Sequence, residues 1–287
     1  MVGFVTLGRW MSPPWITAHS GVVHRQPNLD AGISVYRLRA AVTRGDVERV
    51  RRNWLATEAA PPALLRAAQV SGRLTCVSAA GRRGWWMPPG LGDATHVAVK
   101  PGARPPEGEI VAHWSVPLVP LPADRLMDAV PDILERVANC LPFEQALVIW
   151  ESALRLERLH PDTVGRVAWR SPAARRLAAV ATGRSDSGLE TIFVVRLRPW
   201  GVRVRQQVPI AGHRVDVLIG DRLVVQLDGF AFHSSPADRH RDLDHDRELI
   251  ARGYTVLRFT YRDVVADWPR VERALADALA QERHLAR

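Results

Sequence analysis

The sequence predicts an α/β (α+β) chain whose C-terminal third is a mixed sheet flanked by helices, preceded by a helix-turn-helix with a two-stranded wing and a mixed connector. Three observations carry this. From Ser187 onward the hydrophobic period switches between helical and alternating, giving helix, three strands, helix, strand, helix. Near the N-terminus a Gly turn and a capping Ser separate two short helical runs ahead of an alternating pair of segments. Between these blocks the pattern is mixed and broken by Pro-rich and Gly-rich loops. The expected domains are 16–57, 58–182 and 187–287, with a linker at Gly183-Arg184-Ser185-Asp186-Ser187-Gly188.

In the first block Val22 to Asp30 forms the first helix, Gly32 turns the chain, and Ser34 caps a second helix through Val42. Gly45-Asp46 then leads into Val47 to Leu55, which alternates like a wing. Arg37, Arg39 and Arg44 fall on or near the recognition helix, and Arg49, Arg51 and Arg52 on the wing. This pattern resembles the winged helix of abortive-infection-type antitoxins, and that resemblance implies these arginines as nucleic-acid contacts; the plainer reading is a solvated face. In the connector, Ala63 to Val70, Pro122 to Cys140 and Phe143 to Leu156 read as helices, and His96 to Lys100 and Glu109 to His113 as strands. Trp85, Trp86 and Trp114 offer stacking surfaces, but packing is their commoner fate. No catalytic constellation emerges there.

Composition sets the class. The 287 residues suit about two domains, and the hydrophobic share of 47% is that of an ordinary soluble protein. No run approaches the roughly 18 apolar residues of a membrane helix. Met1 to His19 lacks the pattern of a secretory leader, so a cytoplasmic protein without a membrane partner is expected. Cys76 and Cys140 are far apart in sequence and without partners at metal-ligand spacing. The formal charge of +9 favours a polyanionic partner, since arginines beside phosphates release counterions. Lys100 is the sole lysine, so part of this arginine bias reflects GC-rich coding rather than DNA contact.

The third block carries the chemistry. Ser187 caps a helix bearing Glu190, Phe193 and Leu197; Val202 to Ile210, Arg214 to Ile219 and Arg222 to Asp228 are strands. Pro236 to Arg252 is a charged helix stopped by Gly253, Tyr254 to Phe259 a buried-type strand, and Trp268 to Glu282 an amphipathic helix. Period-two arithmetic puts Val215, Val217 and Ile219 on one face and Asp216 on the other. It likewise separates Gln226 and Asp228 from Leu223, Val225 and Leu227. If these strands pair through the Gly220-Asp221 turn, Asp216 sits beside Gln226 and Asp228. A carboxylate in an apolar strand is costly unless compensated, and a divalent cation compensates it. His233, just past Gly229, is in place to act as a base near that site. Each of these residues also has an ordinary reading as a turn or surface group.

Asp216, Val224-Val225-Gln226-Leu227-Asp228-Gly229, His233 and Asp244 to Phe259 together resemble the core of very-short-patch-repair endonucleases and their uncharacterised actinobacterial relatives, within the restriction-endonuclease-like PD-(D/E)XK superfamily. The resemblance spans about Ser187 to Leu279. It implies Asp216 as principal metal ligand, the Leu227 backbone carbonyl as a second, His233 as general base and Glu190 as an assisting acid. Gln226 stands where the superfamily has an acidic residue, and Asp228 where it has a lysine. The implied cofactor is Mg²⁺, with Mn²⁺ as an alternative, and the implied partner is double-stranded DNA; a homodimer or protein partner stays open. The N-terminal block resembles the winged helix of abortive-infection-type antitoxins. Two functions follow: a metal-dependent endonuclease or nickase acting in repair or defence, or a non-catalytic antitoxin-type regulator using a degenerate nuclease fold. Gln226, which brings no charge, speaks for the second.

Overall fold

The computed structural model describes residues 16, 20–30, 33–103, 108–229 and 236–286. The chain divides into two compact units, residues 1–84 with 90–140 and residues 85–89 with 141–287. Helices 143–178, read from sequence as connector, belong to the second unit. No helix among the described residues is long and apolar enough to cross a membrane.

The first unit opens with β1 (Val22–His24), α1 (Arg25–Asp30), α2 (Val35–Thr43), β2 (Glu48–Val50) and β3 (Trp54–Ala56), the strands pairing antiparallel in the order β1-β3-β2. Val22 and Val23 form a strand, not the start of a helix: β-branched side chains suit the sheet, and they pair with Ala56 and Leu55. Ser34 caps α2 by accepting the Arg37 N–H at 3.3 Å. The Gly32 turn lies outside the described residues. Val23, Ile33, Leu38, Ala41, Val47 and Leu55 form a small core beneath these elements.

The rest of this unit comprises α3 (Pro62–Gln69), β4 (Arg73–Leu74), α4 (Cys76–Arg82), β5 (Thr95–Val99), β6 (Ile110–Trp114) and α5 (Val130–Cys140). Its sheet order is β4-β5-β6, with β5 and β6 parallel. The helix expected from Pro122 begins only at Val130. Residues before it run along the edge of β4, where Leu74 N–H donates to Leu126 O and Asp128 N–H to Leu74 O. Edge pairing satisfies that backbone in place of helical bonds. Cys76 and Cys140, isolated by spacing, are brought together here, with their sulfurs within 4.8 Å of each other.

The second unit contains α6 (Phe143–Leu156), α7 (Pro161–Gly165), α8 (Pro172–Ala178), α9 (Gly188–Leu197), β7 (Val204–Ile210), β8 (His213–Ile219), β9 (Leu223–Asp228), α10 (Pro236–Ala251), β10 (Thr255–Thr260), α11 (Tyr261–Ala266) and α12 (Trp268–Ala280). The sheet order is β10-β9-β8-β7, a mixed sheet in which β7, β8 and β9 are antiparallel and β10 runs parallel to β9 across the α10 connection. One core joins Phe193 and Ile192 of α9 to Val217, Ile219, Val225, Phe259 and Leu275. The other joins Val215, Leu218 and Val224 to Leu249 of α10. Val215 therefore parts from Val217 and Ile219, against strict alternation, because the regular ladder is interrupted between them at Asp216.

Phe193 is fully buried, with its ring 5.8 Å from Trp268 edge-on and 6.2 Å from Phe259. Phe193→Ala removes the ring that seats α9, and the expected loss is about 3–5 kcal/mol. Denaturant unfolding of the full chain checks it; a loss below about 1 kcal/mol would show that α9 is held by something else.

Candidate active site

The site is assembled from the start of α9 and the interrupted middle of the sheet. Ser187 caps α9, its Oγ accepting the Glu190 N–H at 3.2 Å. Glu190 reaches back: Oε1 accepts the Ser187 hydroxyl at 3.1 Å and Oε2 the Asp186 N–H at 3.0 Å. This reciprocal cap locks a buried carboxylate, 3% exposed, at the edge of the sheet.

Gln207 lies inside β7 yet has a left-handed backbone, φ +53°. The β7–β8 register is the same on both sides of it, from Gln206↔Val217 to Val208↔Val215, so no residue is inserted. The kink brings its amide between two carboxylates: Nε2 donates to Glu190 Oε2 at 2.9 Å and to Asp216 Oδ1 at 3.4 Å. On the other side, the β8–β9 pairing stops at Val217↔Val225. Past that pair Asp216 Oδ2 accepts the Leu227 N–H at 2.8 Å, and the Asp216 N–H donates to Gln226 Oε1 at 3.4 Å. Side chains thus replace ladder bonds on both flanks of Asp216.

Burial dominates the electrostatics. It pushes the Glu190 carboxyl up to about 7, helped by the neighbouring Asp216 charge and opposed by the Gln207, Asp186 and Ser187 hydrogen bonds. Burial also raises Asp216, against the stabilising Leu227 and Gln207 donors. A second cluster adjoins this one. Arg258, paired with Gln226 in the β9–β10 register, donates to Asp228 at 2.7 Å and to Asp246 of α10 at 3.0 Å. Burial works against its charge, but Asp228 and Asp246 outweigh it and hold the guanidinium above its ordinary value. Beside Gln207 lies a cleft of about 460 Å³ rimmed by Arg155, Arg184 and Arg214. Arg155 is paired with Asp186, whereas Arg184 and Arg214 are exposed.

Of the residues expected from sequence, Glu190, Asp216 and Gln226 come together, and Leu227 meets Asp216 through its N–H rather than through the carbonyl expected as a ligand. Asp228 lies nearby but is engaged by Arg258. His233 lies outside the described residues. Gln207, Arg258 and Asp246 were missed. Nothing in Val204-Arg205-Gln206-Gln207-Val208 distinguishes the second Gln from the first. Arg258 had a signal, a lone cation inside an apolar strand. Asp246, which the sequence gives only as one residue of the charged helix from Pro236, is just 17% exposed along its side chain.

The N-terminal arginines differ among themselves. Arg37 and Arg39 are exposed on α2, and Arg44 pairs with Asp46 at 2.6 Å. Arg49 folds back on the carbonyls of Arg51 and Arg52, bracing the hairpin turn. Arg51 and Arg52 line a cleft of about 440 Å³ with Arg73, Lys100 and Arg125.

The donor set suits a hard divalent cation. A buried carboxylate, Glu190, and a half-buried one, Asp216, sit around one amide, with a second amide oxygen alongside, and a cation would offset the cost of ionising both.

A family model, REase_MTES_1575, which is restriction-endonuclease-like, matches residues 190–279, the stretch from Glu190 through β10 and most of α12. Among solved structures, the chain is similar to the catalytic domain of the homing endonuclease I-Bth0305I at 18% identity and a TM-score of 0.30, covering 32% of this chain and 94% of that one. No curated protein matches.

A buried acid raised from 4.5 to about 7 stabilises the fold most below its ordinary value, and that contribution is lost as pH rises through about 7. In the presence of chelator, wild-type stability is therefore expected to fall between about pH 5 and pH 8, and Glu190→Gln to flatten this slope. Urea unfolding at several pH values measures it; identical slopes would mean that Glu190 ionises at little cost.

Proposed function

We propose that the C-terminal unit is a metal-dependent endonuclease or nickase that hydrolyses phosphodiester bonds of double-stranded DNA. The observation that carries this is the convergence of Glu190 and Asp216, both raised by burial, on Gln207 where the sheet opens. The match of residues 190–279 to a restriction-endonuclease-like family supports it.

In this reading Asp216 and Glu190 hold Mg²⁺ or Mn²⁺, with the Gln226 amide oxygen and the Leu227 backbone carbonyl completing the protein's share of ligands. When bound, the ion supplies Lewis-acid polarisation of the scissile phosphate and acidifies water. The chain's own residues do the rest. The Ser187 cap and Gln207 fix both carboxylates, so their geometry is set before substrate arrives. Arg184 and Arg214 offer cations to the DNA backbone beside the cleft. Arg258 provides positive charge next to Gln226, where Asp228 replaces the superfamily's lysine. His233 is assigned as base by its resemblance to the repair endonucleases. The N-terminal strand–helix–helix–hairpin, read as an antitoxin-type winged helix, contributes DNA contacts through Arg37, Arg39, Arg51 and Arg52, while Arg44 and Arg49 serve the fold. Repair and defence are both consistent roles.

A second reading rests on Gln226. Its oxygen is turned to the Asp216 N–H, and an amide brings no charge to a cation. A regulator that binds DNA through a degenerate nuclease fold would tolerate this.

Supercoiled plasmid and mismatched duplexes with Mg²⁺ or Mn²⁺ decide between them. Nicking is expected, abolished by EDTA and reduced at least about 100-fold in Asp216→Ala and in Glu190→Gln, as for losing several kcal/mol of transition-state stabilisation. A folded wild-type protein that binds DNA and never cuts it would establish the regulator reading. For the N-terminal block, the combined change Arg51→Ala and Arg52→Ala should lower the slope of log affinity against log salt by about 2. An unchanged slope removes the wing from the interface.

A further inference from the structure

We propose that the first unit carries a structural zinc site formed by Cys76, His96, His113 and Cys140. It lies apart in sequence from the residues assigned to DNA cleavage and does not rest on that reading.

Four different elements supply the donors. Cys76 is the first residue of α4, His96 lies on β5, His113 on β6, and Cys140 is the last residue of α5. The β5–β6 register pairs His96 with Val111 and Ala98 with His113, which puts the two imidazoles diagonally on one face of the parallel pair. α4 and α5 then bring the two thiols to that face.

The donor atoms converge. All four lie within 4.8 Å of one another. His96 Nδ1 is 3.0 Å from His113 Nε2 and 3.8 Å from Cys140 Sγ. In a tetrahedral zinc site, bonds of about 2.3 Å to sulfur and 2.0–2.1 Å to nitrogen put donors roughly 3.3–3.8 Å apart. Shifts of side chains by an ångström or less bridge the difference. Two sulfurs and two imidazole nitrogens in this arrangement select zinc over hard cations, which prefer oxygen.

Other features agree. Cys76 has a left-handed backbone, φ +50°, a strained conformation for a non-glycine residue that is kept where a side chain has a task. Its sulfur and His96 are buried. Ser78 Oγ accepts the His96 N–H at 2.9 Å, and Thr75 N–H donates to His96 O at 3.0 Å, so the strand presenting His96 is tied to the segment presenting Cys76. On zinc binding both sulfurs coordinate as thiolates, and whatever protons they still carry pass to solvent. No oxidation is involved. The ion ties α4 and α5 to the β5–β6 pair, a device suited to a unit whose strands are short.

The full-length chain, purified under reducing conditions, tests this by metal content and by Co²⁺ substitution. The expected result is one zinc per chain, and intense visible bands with thiolate-to-cobalt charge transfer when Co²⁺ replaces it. Cys140 is exposed, so Cys140→Ser keeps the fold, and it should weaken zinc by more than about 100-fold, beyond what losing a residue that merely supports a ligand costs. His113→Cys should retain the metal with stronger charge transfer. Asp216→Ala should leave zinc untouched, which separates this site from the cation proposed for cleavage. Reduced protein that takes up no zinc or cobalt, or Cys140→Ser that binds zinc as wild type does, overturns the proposal. So does a Cys76–Cys140 disulfide that forms while zinc is present.

Discussion

A carboxylate in the middle of a sheet obliges the backbone around it to abandon regular pairing, because ladder bonds leave no donors for it. At Asp216 both neighbours comply. β9 withdraws from the ladder and gives the Leu227 N–H to the side chain, and β7 kinks at Gln207 to send in an amide. A strained backbone and lost ladder bonds together cost a few kcal/mol in such settings. They persist because the cores on the two faces of the sheet fix β8 from both sides. Val217 and Ile219 anchor it beneath α9, and Val215 and Leu218 beneath α10.

The same constraint explains the position of α9. Its cap holds Glu190 against the gap in the sheet, while Phe193, one turn on, packs on Phe259 and Trp268. One helix therefore couples packing to chemistry, and a displaced aromatic core would move the carboxylate that Gln207 bridges to Asp216. A site on the ends and faces of packed elements is held more rigidly than one on loops.

Much of this was legible in the sequence. Alternation and turn residues located β8, β9 and their hairpin, and Ser187 with Glu190 three residues later marked the start of α9. Asp216 stood out because an acid among valines needs compensation. What stayed hidden was long-range. Gln207 looks like any strand residue, and its role depends on a backbone kink that only the opposite strand explains. Arg258 meets Asp246, twelve residues earlier on α10, and reaches Asp228 through the parallel pairing of β9 with β10. Cys76 and Cys140 defeat any rule of local spacing, since 63 positions intervene and the chain passes through the rest of α4, β5, β6 and α5 before they meet. The first β-strand was masked by Arg25–Asp30, whose helix follows it without a break.

Gln226 is intelligible once the surrounding charges are counted. Glu190, Asp216, Asp228 and Asp246 are four acidic groups within one neighbourhood, and Arg258 is already shared between two of them. Another carboxylate at position 226, 8% exposed, would add a buried negative charge beside Asp216 and compete for the Arg258 guanidinium. Asp216 and Glu190 are already raised by burial, so a third carboxylate would favour protonation over ligation until a cation arrived. Glutamine keeps an oxygen at that place, directs it to the Asp216 backbone and leaves the acidic load unchanged. In this chain the aspartate at 228 draws Arg258 away along the strand, and the neutral residue at 226 accommodates that arrangement. Positions 226 and 228 are thus coupled through Arg258, and changing one alone would unbalance the other.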